Sequence, residues 1–137
     1  MNVFRLPIRV YLEDTDAGGI VFYANYLKYM ERARSEWLQT HPGMNLGILL
    51  AHQVQFVVQS LQIDYHRPAK LGDQLEVSAH LIEQRRASLL MEQEVRRADD
   101  LICHAQVRLA CLDAQSLKPK AFPDFLKALG QQESLSS

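Results

Sequence analysis

Cysteine is scarce in this chain, basic residues are not in excess, and no apolar stretch is long. Cys103 and Cys111 are the only two cysteines in 137 residues. Both fall in one segment with strand alternation, where they lie too far apart to bridge each other. With no CxxC spacing to suggest redox or metal chemistry, they read as buried, reduced, small hydrophobes. Lys and Arg number 15 against 16 Asp and Glu, a net charge of −1. Nucleic-acid-binding domains usually carry a strong basic excess, so the balance argues against that class. No apolar run approaches the roughly 20 residues that span a bilayer. The N-terminus, Met1 to Val10, interleaves charge with apolar residues and has no signal-type core. The expected compartment is the cytoplasm. The histidines His41, His52, His66, His80 and His104 are scattered without metal-ligand spacing, so no metal is expected.

What is present is ordinary for a globular protein: 47% hydrophobic and 23% charged residues. The length suits a single domain with a real core. Phe4, Leu6, Ile8, Val10 and Leu12 alternate with Arg5, Pro7 and Arg9, a half-buried strand in which Pro7 marks a start or an edge. Asp14 to Gly19 read as a loop. Asn25 is placed as the N-cap of a helix running to about Gln39 or Thr40. Tyr26, Tyr29, Met30, Ala33 and Trp37 form its apolar stripe, and His41-Pro42-Gly43 ends it. A short helical turn follows around Asn45 to Ala51.

The remainder reads as strands. Gln53 to His66 changes phase between Val54/Phe56/Val58 and Leu61/Ile63/Tyr65, which predicts a bulge or a change of face. Leu75 to Leu81, Leu89 to Val95 and Leu101 to Cys111 each alternate, with turns at 67–73, 83–87 and 97–100. Phe122 to Gly130 reads as a short closing helix stopped by Gly130, and residues 131–137 as a flexible tail. The domain is therefore 1–130. One long helix followed by consecutive hairpins implies an antiparallel sheet packed on that helix, an α+β arrangement. Apolar residues in both phases of the long strand point to a partner subunit over part of the other surface.

The chemistry concentrates between Tyr11 and Arg34. Glu13, Asp14 and Asp16 stand against Gly18-Gly19, just before the helix. Attack on an ester or thioester carbonyl needs a nucleophile or base and donors for the oxyanion. A carboxylate here supplies the first; N–H groups of 19–23 and of the helix start supply the second. Asp before a helix is also an ordinary cap or turn residue, and Gly-Gly an ordinary turn. The chemistry alone does not choose among the three carboxylates.

The string Arg9-Val-x4-Thr-Asp16-x2-Gly19-Ile-Val-Phe-Tyr23-x2-Tyr26 resembles the signature of the 4-hydroxybenzoyl-CoA thioesterase family. Val10-Tyr-x-Glu-Asp-Thr-Asp-Ala-Gly-Gly19 with Tyr-x4-Glu31-Arg-Ala-Arg34 most resembles its Tol–Pal-associated acyl-CoA thioesterases. The likeness continues through Phe56-Val-Val58, Asp64-Tyr-x2-Pro-Ala-x-Leu-x-Asp73 and Lys118-Pro-x-Ala121.

The resemblance implies a hotdog fold, a five-stranded antiparallel sheet wrapped around one long central helix. It implies hydrolysis of short- to medium-chain acyl-CoA to free acid and CoA, with no cofactor. Asp16 then becomes the catalytic carboxylate, as nucleophile or general base, and Tyr23 the donor of a backbone N–H to the thioester carbonyl. Gly19 allows close approach of substrate. The turn Arg85-Arg86-Ala87-Ser88 resembles an Arg-Arg-Lys-Ser string that holds CoA phosphates, with Ala87 replacing the lysine; Arg85, Arg86 and Ser88 are the substrate-binding candidates, Arg67 and Lys70 weaker ones. The family also implies a homodimer or a tetramer built as a dimer of dimers, with the site at the subunit interface. The rival reading is a binding partner for acyl-CoA or acyl carrier protein, serving the envelope or phospholipid-synthesis machinery with little turnover.

Overall fold

The computed structural model describes residues 3–41, 44–124, 126, 127 and 129. The elements run β1 (Phe4–Arg9), α1 (Asn25–Gln39), α2 (Leu46–Ala51), β2 (Val54–Tyr65), β3 (Gln74–Gln84), β4 (Ser88–Arg97) and β5 (Asp100–Asp113). The five strands form one sheet in the order β1-β3-β4-β5-β2, antiparallel at every pairing. α1 lies on one face, against β1, β3 and β4.

Patterning decides which face each strand turns to the helix. Leu75, Val77, Ala79 and Leu81 of β3 are buried, as are Leu89, Met91, Gln93 and Val95 of β4. From β5, Cys103, Ala105, Val107, Leu109 and Cys111 join them. All five residues of the expected helix stripe are buried against this face. Each large apolar side chain so buried contributes roughly 1.5–3 kcal/mol. The phase change in β2 is a bulge: Val58 opposes Leu109 and Ser60 opposes Arg108, leaving Gln59 as the extra residue. Val54, Phe56 and Val58 before the bulge, and Leu61, Ile63 and Tyr65 after it, thereby keep to one face.

Three expectations need correction. β2 does not form a hairpin with β3; it pairs with β5, and residues 66–73 carry the chain across the end of the sheet. Asn25 is not the N-cap of α1. Ala24 holds that place, and Asn25 Nδ2 donates instead to the Asp14 carbonyl at 2.8 Å. Leu12 does not extend β1. After Val10, whose N–H donates to Asp73 O, the chain coils into a single 3₁₀ turn over Leu12–Asp14 and leaves Leu12 74% exposed. α1 has Thr40 as its C-cap, with His41 Nδ1 against Trp37 O at 3.1 Å. The expected stop residues Pro42 and Gly43 lie outside the described residues, as do Gly130 and the 131–137 tail. Asn45 caps α2, its Oδ1 accepting from the Ile48 N–H.

Cys103 and Cys111 are both free and buried. Burial pushes the Cys103 thiol up to about 12 and raises that of Cys111, the latter eased by Lys120. Thiolate is the reactive form. Neither cysteine is expected to react with a colorimetric thiol reagent at pH 8 until denaturant is added, when both should. Rapid labelling of native protein would contradict the closed inner face of β5.

Candidate active site

The loop between β1 and α1 is held by hydrogen bonds at every turn. Tyr11 N–H donates to Asp14 Oδ2 at 2.8 Å, and Thr15 Oγ1 to Leu12 O at 2.8 Å. Residues 19–22 then run as a short extended piece between two others. On one side Asp16 N–H donates to Ile20 O and Phe22 N–H to Asp14 O; on the other Val21 N–H donates to Ala69 O and Leu71 N–H to Gly19 O. The loop is thus stitched both to itself and to the 66–73 crossover.

Within this frame the three carboxylates differ. Asp14 is occupied by the Tyr11 amide, and Glu13 is exposed within the 3₁₀ turn. Asp16 is exposed, and its Oδ1 accepts from the Gly18 N–H at 2.8 Å. Its Oδ2 accepts from none of the described residues. Of the five N–H groups at 19–23, the loop consumes three: Gly19 to Asp16 O, Val21 to Ala69 O and Phe22 to Asp14 O. Those of Ile20 and Tyr23 find no acceptor among the described residues. Tyr23 stands immediately before Ala24, where the helix N-terminus concentrates positive partial charge.

Gly19 has φ +79°, and a Cβ there would meet nothing within 4 Å. An alanine is penalised by backbone conformation alone, about 1–2 kcal/mol. Gly19→Ala is therefore expected to lower the free energy of unfolding in urea by about that amount. A variant as stable as the parent would mean that the loop abandons this turn at little cost.

Aromatic residues fix the start of α1. Tyr65 Oη donates to Tyr23 O at 3.0 Å, and its ring meets Tyr23 edge-on at 6.3 Å and Tyr26 at 5.7 Å. Tyr26 Oη in turn accepts from the Ala69 N–H at 3.0 Å, pinning the crossover. The Tyr29 hydroxyl is buried close to the Asp14 carboxylate. Its pKa is raised well above the usual phenol range, first by burial and then by the nearby Asp14 carboxylate. At the crossover, burial alone would raise the Asp73 carboxyl, but donation from Lys70 N–H and Arg97 Nη1 outweighs it and holds the group below its ordinary value.

The other candidates lie elsewhere. Arg85, Arg86 and Ser88 sit at the β3–β4 turn, while the Asp16 loop lies beside the opposite end of β3. The 11 residues of β3 separate them by about 35 Å at roughly 3.3 Å per residue. Arg85 pairs with Glu83, and Ser88 Oγ accepts from Arg108 Nη1 at 3.1 Å. A single chain does not bring these three residues to Asp16. Arg67 approaches Asp100 at 3.9 Å. No cluster able to hold a metal ion occurs among the described residues, and no helix among them is long and apolar enough to cross a membrane.

The sequence profile of the thioesterase superfamily matches residues 18–104. The chain belongs to that superfamily. An acyl-CoA thioesterase, YbgC, of Haemophilus influenzae is 45% identical over 127 residues, 93% of each chain. An acyl-CoA thioester hydrolase, YbgC, of Escherichia coli O6:H1 is 40% identical over 93% of this chain and 95% of its own. A solved structure of a probable thioesterase from Bartonella henselae superposes with a TM-score of 0.81 at 31% identity, covering 89% of this chain and all of that one. The fold is accordingly the hotdog fold of thioesterases.

For a thioesterase-superfamily chain, two features of this site escaped the sequence reading. In the sequence Tyr65 reads only as part of an apolar phase of β2, yet its hydroxyl holds the Tyr23 carbonyl. Gln93 falls within the alternation from Leu89 to Val95, yet it is a fully buried polar link between sheet and helix. An apolar alternation interrupted by one glutamine was the available signal.

Proposed function

We propose that this chain is an acyl-CoA thioester hydrolase, releasing CoA and a free short- to medium-chain acid. Asp16 supplies the carboxylate, attacking the thioester carbonyl or activating water. The Tyr23 N–H stabilises the oxyanion, and Gly19 admits the substrate to the backbone. The observation that carries this reading is the pairing of an Asp16 oxygen that accepts from none of the described residues with an uncommitted N–H at the start of α1. Such donors are effective because they are fixed before charge develops. The relatives' activities agree with it.

Arg85, Arg86 and Ser88 enter the reaction only from a second chain, given their distance along β3. A homodimer, or a dimer of dimers, that brings one chain's β3–β4 turn to its partner's Asp16 loop would let two arginines grip CoA phosphates. The test is release of CoA from a panel of acyl-CoAs running from acetyl to dodecanoyl, followed with a thiol reagent. Turnover is expected among the shorter members. Tight binding of acyl-CoA without release of CoA from any of them would replace this reading with that of an acyl-thioester-binding partner.

A further inference from the structure

Tyr23 carries the N–H assigned above to the oxyanion, and the direction of that N–H follows from the two peptide planes that flank the residue. The plane before Tyr23 is held by its own loop and helix. Phe22 N–H donates to Asp14 O at 3.0 Å, and Phe22 O accepts from the Asn25 N–H at 2.8 Å. Asn25 Nδ2 adds a second bond to the Asp14 carbonyl at 2.8 Å. A bond accepted at Phe22 O also polarises the Tyr23 N–H, which belongs to the same peptide. The plane after Tyr23 is held from the sheet: Tyr65 Oη donates to Tyr23 O at 3.0 Å.

That hydroxyl comes from a fixed point. Tyr65 is the last residue of β2 and lies opposite Cys103 of β5. The next two N–H groups, of His66 and Arg67, both donate to Ile102 O, at 2.8 and 3.1 Å. Burial raises the Tyr65 phenol above its ordinary value, so Oη keeps its proton and stays a donor at neutral pH. Tyr65 is nevertheless 44% exposed, and water can satisfy the Tyr23 carbonyl in its place. The bond therefore adds little to folding. A water molecule is not tied to β2, however, so what the hydroxyl supplies is position.

We propose that Tyr65 is a positioning residue for hydrolysis: by tying the Tyr23 carbonyl to β2, its hydroxyl sets the angle at which the Tyr23 N–H meets the developing oxyanion. The proposal rests on the hydrolase reading and on Tyr23 as its donor. An oxyanion donor is effective because it is fixed before charge develops, and small errors in its placement are costly. The side chain divides its work. The ring packs against Tyr23 and Tyr26, with centroids at 6.3 and 5.7 Å, while the hydroxyl aims the backbone.

Tyr65→Phe keeps the ring and removes the hydroxyl. It should lower kcat for CoA release about tenfold while KM stays within about twofold, the pattern of an interaction realised in the transition state. A second readout does not depend on turnover. A ketone analogue of acyl-CoA, with a methylene in place of the sulfur and an isotopically labelled carbonyl, reports by infrared spectroscopy the hydrogen bond it accepts. Its stretch should fall in frequency on binding the wild type, and Tyr65→Phe should lose much of that shift. Thr40→Val removes the bond from Thr40 Oγ1 to Trp37 O at the far end of α1 and should keep both kcat and the shift. Melting curves establish that each variant is folded. A Tyr65→Phe protein with the wild-type shift overturns the proposal, whether its kcat falls or not. A wild type that shifts the ketone but releases no CoA refutes the hydrolase reading alone, and the two shifts then decide the role of Tyr65. A wild type that releases CoA yet leaves the bound ketone unshifted removes the Tyr23 donor, and this proposal with it.

Discussion

Asp16→Asn is expected to lower kcat for CoA release by at least about a hundredfold, the range associated with losing a positioned base or nucleophile, with the fold intact. The substitution isolates charge and basicity from geometry. An asparagine retains Oδ1, so the bond from the Gly18 N–H persists and the turn that presents the side chain is preserved. Asp16 is exposed, so the stability change should stay within about 0.5 kcal/mol. Asp14→Asn is the matched control: its oxygen holds the Tyr11 N–H, a role the amide oxygen can also fill, and turnover should change little. Equal rates for wild type and Asp16→Asn would refute the assignment of the carboxylate. A larger loss in the Asp14 variant would transfer the role to that residue.

Gln93→Met should cost about 2–3 kcal/mol of folding stability and lower Tm by about 10 °C for a domain of this size. Methionine nearly matches the length of glutamine and is itself a good core residue, so cavity formation is a minor contribution. What disappears are three hydrogen bonds, to Met30 O, to Ser78 O and from Arg34 Nη1. The carbonyls have second lone pairs and tolerate the loss better than the guanidinium does. The bond to a charged group accounts for the greater part, since such bonds are worth about 1.5–3 kcal/mol. Urea unfolding measures the difference directly. A variant as stable as the parent would mean that burying an apolar side chain fully compensates for the network.

The faces of the elements were legible in the sequence because burial leaves a periodic trace. The Tyr26-to-Trp37 stripe, the alternations of β3, β4 and β5 and the β2 bulge follow directly from where apolar residues recur. Strand neighbours leave no such trace. β2 looks equally ready to pair with β3 or β5; in the structure residues 66–73 carry the chain past the end of the sheet and β2 lies beside β5. Capping was misplaced for a local reason: Asn25 meets the Asp14 carbonyl, an acceptor contributed by the very loop it was supposed to follow. Among the acidic residues, chemistry left three candidates and the family resemblance favoured one. In the structure Asp14 and Asp16 each accept one backbone N–H at 2.8 Å, from Tyr11 and from Gly18, so hydrogen bonding alone does not separate them. Arg85, Arg86 and Ser88 were read from a local string, which carries no information about the length of strand separating them from Asp16.

The two margins of the sheet are unlike. β1 carries Pro7, which has no N–H to offer, between Arg5 and Arg9, features that discourage another strand from adding there. β2, at the opposite margin, is 12 residues long and holds one charged side chain, Asp64. A sheet that can be extended on one side only has a built-in end to its growth. If two copies join through their receptive margins, both outer margins are blunted, and the product is a closed pair with no tendency to run on as a fibril.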